Sequence, residues 1–378
     1  RRGAPSPAGG GAPPPPPAPP PLVVRPPRSR APLIVLLLVV ALVGLIVIIG
    51  VLLNSGTQTP TAAPTAAPTA APTATAAPTA TAAPTPTPDP VPLVERGDQF
   101  AQRNDFAAAA EQYSAALAIR ADDAPTLVKR GVAYFELDQL DEAVADLSRA
   151  ITLGVANADV FHARGRVYLR RGEWREAEAD FTSALSYRAD DPLSYLRRGI
   201  ARNQLEEYTN ALDDFAVAID LAPDNSAIYV NRALTYIQIG DRQAALNDYD
   251  AAIRLAPELV AAYRDRAQLL LELNQPEQAL ADASRMVEID PSDRNGYMLR
   301  ANALVALRRY SQAIEDYTIL LERETDNPDF YRDRGMAYLA LRERDAALAD
   351  FERAAELYEQ RGATEQLDRV NEEITKLR

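Results

Sequence analysis

The sequence holds little that could make or break a covalent bond. His162 is the only histidine in 378 residues, and there is no cysteine to act as nucleophile or thiolate ligand. A histidine-containing triad could use only His162. No HExxH helix, GxxxxGK[ST] loop or strand-borne GxGxxG is present. Carboxylate pairs such as Asp122-Asp123, Asp190-Asp191 and Asp213-Asp214 suit helix caps and solvated faces better than acid–base catalysis. What remains is binding chemistry. His162, Arg166 and Arg170 recur every four residues, so on a helix they share one face. A row of cations on one face is suited to fix an acidic or C-terminal group through charge-assisted hydrogen bonds. Neither catalysis nor a cofactor or metal is expected of this chain.

These residues belong to a repeat. Between Pro90 and Arg361 one 34-residue pattern occurs eight times without insertion, in units 90–123, 124–157, 158–191, 192–225, 226–259, 260–293, 294–327 and 328–361. Position 4 is large, as in Phe161, Tyr195 and Tyr229, and position 8 is small, as in Gly165, Gly199 and Ala233. Position 20 is always alanine, and position 24 is bulky except for Ala283. Positions 4, 8, 11 and 20, 24, 27 step by four and then three, which is one face of an α-helix, so each unit should be two amphipathic helices. Breakers such as Gly240-Asp241 and Asn274-Gln275-Pro276 put the reversal near positions 15 and 16. In the antiparallel pair that follows, position 8 faces position 24, small against large. Where the sixth unit shrinks position 24 to Ala283, position 27 grows to Met286, which should restore the lost volume one turn away. Arginine fills position 7 of all eight units and aspartate position 23 of seven, Gln112 being the departure. The two positions are level across the hairpin, which predicts a structural ladder of Arg–Asp pairs, within or between units.

The pattern of large residue, Gly/Ala, Tyr, Ala, aromatic, Ala and late Pro (Pro223, Pro257, Pro291) resembles the tetratricopeptide repeat family over residues 90–361. The resemblance implies an all-α, right-handed α-solenoid that binds a protein or peptide partner. It also implies that positions 2, 5, 9, 12 and 13 of each first helix line a concave groove. Apolar residues there include Val128, Val132, Phe135, Leu169, Leu196, Ile200, Val230 and Leu234. On this frame His162, Arg166 and Arg170 face the groove, with Arg197 and Asn231, each at position 6 of its unit, turned toward the same region. The family's carboxylate clamp uses Lys and Asn at comparable places, where this chain has His162 and Arg166. One lone unit cannot bury its second face, so the array is expected to be stable only by stacking. Residues 362–378, with Leu367, Val370, Ile374 and Leu377 as an apolar edge, are expected to form a capping helix.

The flanking composition sets further expectations. Residues 1–31 are Pro-rich with five arginines and no acid, a disordered basic tether. Residues 32–53 contain an unbroken apolar run from Leu33 to Leu53, about 31 Å long as a helix, matching one membrane span. Residues 54–89 form a Thr/Ala/Pro stalk without a charge before Asp89. The arginine bias places the N-terminal side in the cytoplasm and the repeats outside it. Beyond residue 88 the chain has 35 basic against 53 acidic side chains, a net charge of −18, which argues against nucleic acid as a partner. The sequence begins with Arg1 and not methionine. Its layout also resembles the tether, span and outer repeats of bacterial receptor-type Ser/Thr kinases, so the alternative expectation is the sensor half of such a kinase.

Overall fold

A computed structural model describes residues 89–378. Among them are seventeen α-helices and no strand. The eight pairs are α1 (Val91–Gln102) with α2 (Phe106–Ile119), α3 (Ala124–Glu136) with α4 (Leu140–Thr152), α5 (Ala158–Arg171) with α6 (Trp174–Tyr187), and α7 (Pro192–Gln204) with α8 (Tyr208–Leu221). Then follow α9 (Ser226–Ile239) with α10 (Arg242–Leu255), α11 (Val260–Glu272) with α12 (Pro276–Ile289), α13 (Arg294–Ala306) with α14 (Tyr310–Arg323), and α15 (Pro328–Ala340) with α16 (Arg344–Gln360). The last helix, α17 (Thr364–Leu377), buries Val370 and Ile374 against α16 and closes the array. The expected membrane span over 32–53, the tether and the stalk up to residue 88 lie outside the described residues. Among the described residues no helix is long and apolar enough to cross a membrane.

Local chemistry explains where each helix starts and stops. Position 34 caps the first helix of the next unit: Asp123, Asn157, Asp191, Asn225, Asp293 and Asn327 each accept a hydrogen bond from a backbone N–H of the first turn. Position 15 has positive φ in every unit, between 56° and 84°, and reverses the chain. Only Gly172 and Gly240 meet that demand without strain. Glu206, Arg308 and Arg342 adopt the same conformation at a cost of about 1–2 kcal/mol each, so tertiary packing and not local preference holds those turns.

Within a unit, small faces large as expected. A Cβ added to Gly165 would come within 2.9 Å of the Phe181 ring, and one added to Gly199 within 2.7 Å of the Phe215 ring. Glycine is thus required for the two backbones to approach. In the sixth unit Ala267, Ala283 and Met286 are fully buried in one cluster, so the methionine fills the space that the missing aromatic leaves. Between units, position 10 supplies the contact. Val167 packs with Ala143 and Leu147 of the preceding unit, and Ala201 with Ala177 and Phe181. Each hairpin completes its neighbour's core, which is why the array is a solenoid and not a string of independent units.

The Arg–Asp ladder is present in seven units and is bidentate. Nε and Nη2 of Arg130, Arg164, Arg198, Arg232, Arg266, Arg300 and Arg334 donate to the two carboxylate oxygens of the aspartate sixteen residues on, at 2.5–3.0 Å. The remaining Nη1 of four of them reaches back to a hydroxyl of the preceding unit: Ser114, Ser148, Thr182 or Thr318. That of Arg266 meets Asp250. The pair lies within a unit, and its third arm ties the unit to its predecessor. Aromatic residues at positions 4 and 11 flank the guanidinium, as Tyr229 and Tyr236 do for Arg232, each centroid 5.8 Å away. In the first unit Gln112 replaces the aspartate. Its side-chain oxygen is buried without a partner, and Arg96 is exposed.

Candidate functional site

Helices α3, α5 and α7 bring Phe135, Arg166, Leu169, Arg170 and Arg197 around one open cavity of ≈ 360 Å³. All five were expected to line the groove. The guanidinium of Arg166 lies over the Phe135 ring, 4.3 Å from its centroid, so the aromatic wall holds the charge in place. Arg166 also pairs with Glu136 at 3.1 Å, and Arg170 pairs with Asp138 at 3.3 Å. Both acids come from the unit before. These two cations are therefore already compensated.

His162 departs from the expected cationic patch. Its Nε2 lies 2.8 Å from Arg197 Nη1, and a guanidinium can only donate, so Nε2 is an acceptor. The ring proton then resides on Nδ1 and is donated to Ser194 Oγ at 2.7 Å, while the Ser194 hydroxyl donates to Asp191 at 2.5 Å. Phe181 closes the site edge-on with its centroid 5.5 Å away. Burial first, and then the charge of Arg197, push the imidazole down to about 4 from its ordinary 6.5. His162 is consequently neutral near pH 7 and serves to position Arg197.

A pH dependence follows from this shift. The unfolded chain takes up the His162 proton near pH 6.5 and the folded one near pH 4, so between these values the unfolded state binds more protons. Stability is complete above that window and falls as the pH drops through it, by about 2 kcal/mol between pH 7 and pH 5. Urea unfolding of the native chain and of His162→Gln at both pH values should show this loss only in the native chain. An equal loss in both would show that His162 titrates normally in the folded state.

Arg197 is the cation left over. Among the described residues no carboxylate lies within ion-pair distance of it, and its only side-chain hydrogen bond goes to the neutral His162. Burial, followed by the charge of Arg166, holds it below the ordinary guanidinium value. A half-buried, uncompensated guanidinium at the edge of an apolar-walled cavity is suited to receive an anionic oxygen pair.

The other expected groove residues are dispersed. Leu196 is buried in the core with Phe215 and Ile228, a correction to its place on the open surface, because α9 stacks across it. Val128, Val132, Ile200 and Val230 are half-buried, and Leu234 is exposed. Asn231 does not join the site, because its amide donates to the Ala227 carbonyl one turn back in α9. Ser194 and Asp191, which fix the histidine tautomer, were not anticipated. The signal for them was the capping aspartate at position 34, followed three residues later by a hydroxyl in the next unit.

No curated protein matches the sequence. Among solved structures the fold is similar to that of a tetratricopeptide repeat protein from Parabacteroides merdae, with a TM-score of 0.51 and 19% identity over 66% of this chain and 98% of that one. It is also similar to PilF of Pseudomonas aeruginosa, with a TM-score of 0.48 and 16% identity over 55% and 94% of the two chains. YrrB, described as a TPR protein with an unusual peptide-binding site, aligns with a TM-score of 0.41 and 20% identity over 50% and 97%. Tetratricopeptide repeat models match residues 162–226, 230–294 and 298–361 as well as 124–153, and a TPR repeat model matches 97–138. With these matches spread over more than half of its length and its helix pairs recurring every 34 residues, the chain belongs to the tetratricopeptide repeat family.

Proposed function

We propose that the protein is a membrane-anchored scaffold that binds a protein partner in the groove of its repeats and seats an acidic group of that partner on Arg197. The observation behind the second part is the half-buried Arg197 guanidinium, which has no carboxylate partner among the described residues and is held in place by His162. The membrane part rests on sequence: the apolar run from Leu33 to Leu53 with five arginines on one flank, in which reading the repeats lie outside the cytoplasm. The reading assigns the chain no reaction.

Fluorescence anisotropy with a labelled alanine-rich peptide ending in Glu-Asp tests the site on the full chain in detergent micelles. Arg197→Gln should weaken binding about tenfold, as expected for a lost charge-assisted pair, and Arg170→Gln, whose charge is met by Asp138, should change it little. Equal affinity of the native chain and Arg197→Gln would remove the assignment. Protease treatment of intact cells tests the topology: release of the repeats by cleavage within residues 54–89 supports it, and full protection opposes it.

A further inference from the structure

A second cavity, of ≈ 180 Å³, opens where α9 meets α11, and its floor carries a polar atom without a partner. Tyr249 at position 24 of the fifth unit is 0% exposed, yet its hydroxyl makes no hydrogen bond. Other tyrosines at that position show what is missing. Tyr113 donates to Asp98 at 2.8 Å and Tyr317 to Asn302 at 3.1 Å, in each case position 9 of the same unit. In the fifth unit position 9 is Leu234, which cannot accept, so the Tyr249 hydroxyl is left facing the cavity.

The walls give the missing partner a chemistry. Leu234 and Ile237 form an apolar side, while Asp265, Gln268 and Glu272 stand at the rim. One Asp265 oxygen accepts from Arg264 at 2.9 Å. The other oxygen, and both of Glu272, have no ion pair among the described residues. We infer that this cavity is a subsite for a lysine side chain of the partner, its methylene stem lying on Leu234 and Ile237 and its ammonium shared by Asp265, Glu272 and the Tyr249 hydroxyl oxygen. An ammonium has three donors for these acceptors, and its aliphatic stem suits the apolar side. The net charge of −18 beyond residue 88 would draw a basic segment toward the array. The groove then holds an anion-seating corner at the third and fourth units and a cation-seating one at the fifth and sixth. This assignment rests on the reading of the groove as a partner-binding surface.

The test uses the full chain in detergent micelles and three labelled alanine-rich peptides that differ at one position: lysine, norleucine or glutamine. The lysine peptide should bind about tenfold tighter than the other two. Asp265→Asn, and Leu234→Asn, which restores the position-9 acceptor seen in the seventh unit, should each reduce it to the norleucine level. Tyr249→Phe should weaken lysine binding about fivefold while leaving thermal melting unchanged or raised. Equal binding of lysine and norleucine peptides would overturn the assignment, as would no saturable lysine binding, the hydroxyl then being met by solvent alone. Lysine affinity insensitive to both Asp265→Asn and Tyr249→Phe would do the same. Arg197→Gln leaves this readout unchanged, so failure at the anion corner and failure here are separately visible.

Discussion

Asp214→Ala is expected to destabilise the middle of the array by about 3–5 kcal/mol, the range for removing one partner of a buried ion pair. Asp214 is 3% exposed and accepts from Arg198 at 3.0 and 2.7 Å and from Arg202 at 2.9 Å. Its removal leaves the Arg198 guanidinium, only 14% exposed, without a counter-charge between the fourth unit and the Thr182 hydroxyl of the third. Arg202 keeps Glu178 at 2.8 Å, so the loss concentrates on Arg198. The double replacement Arg198→Leu, Asp214→Leu should cost much less, because an apolar pair removes the uncompensated charge along with the bond. Urea unfolding of the three proteins measures the difference. If the single and double variants unfold at the same midpoint, the pair contributes little through its charge and the ladder is not what ties the units together.

Phe215→Ala should cost a similar amount, about 3–5 kcal/mol, through the cavity it leaves. The ring is fully buried against Gly199, in a cluster that also holds Ile228 of the next unit, so the vacated space lies at the seam between two hairpins and relaxes poorly. The sixth unit shows the natural remedy, with Ala283 at position 24 and Met286 at position 27 in one core. Adding Ala218→Met to Phe215→Ala reproduces that pairing and should recover roughly half of the loss, since a methionine adapts to irregular space. Guanidinium unfolding followed by circular dichroism gives both values. No recovery in the double variant would mean that the sixth unit is stable for some other reason.

Much of this molecule was legible because its information is periodic. Gly199 opposite Phe215, Ala283 with Met286 and Arg198 with Asp214 each follow from two positions of one unit and the geometry of an antiparallel helix pair. Turn residues were legible only in part: Gly172 and Gly240 announce a left-handed residue, whereas Arg308 and Arg342 hold the same conformation because the flanking helices impose it. The candidate site was harder to read. Its members Phe135, Arg166, Leu169, Arg170 and Arg197 follow from the shared face of the first helices, but their charge states do not.

Sequence by itself therefore determined the helices, their pairing, the order of stacking and the ladder, because each depends on contacts at fixed separations along the chain. Tertiary structure alone decided which charges remain free. Arg166 and Arg170 are met by Glu136 and Asp138 from the unit before, His162 is kept neutral by Arg197 from the unit after, and Tyr249 lacks an acceptor because Leu234 stands where one is needed. Electrostatic balance depends on distance and burial summed over neighbouring hairpins, and no single repeat of 34 residues encodes that sum.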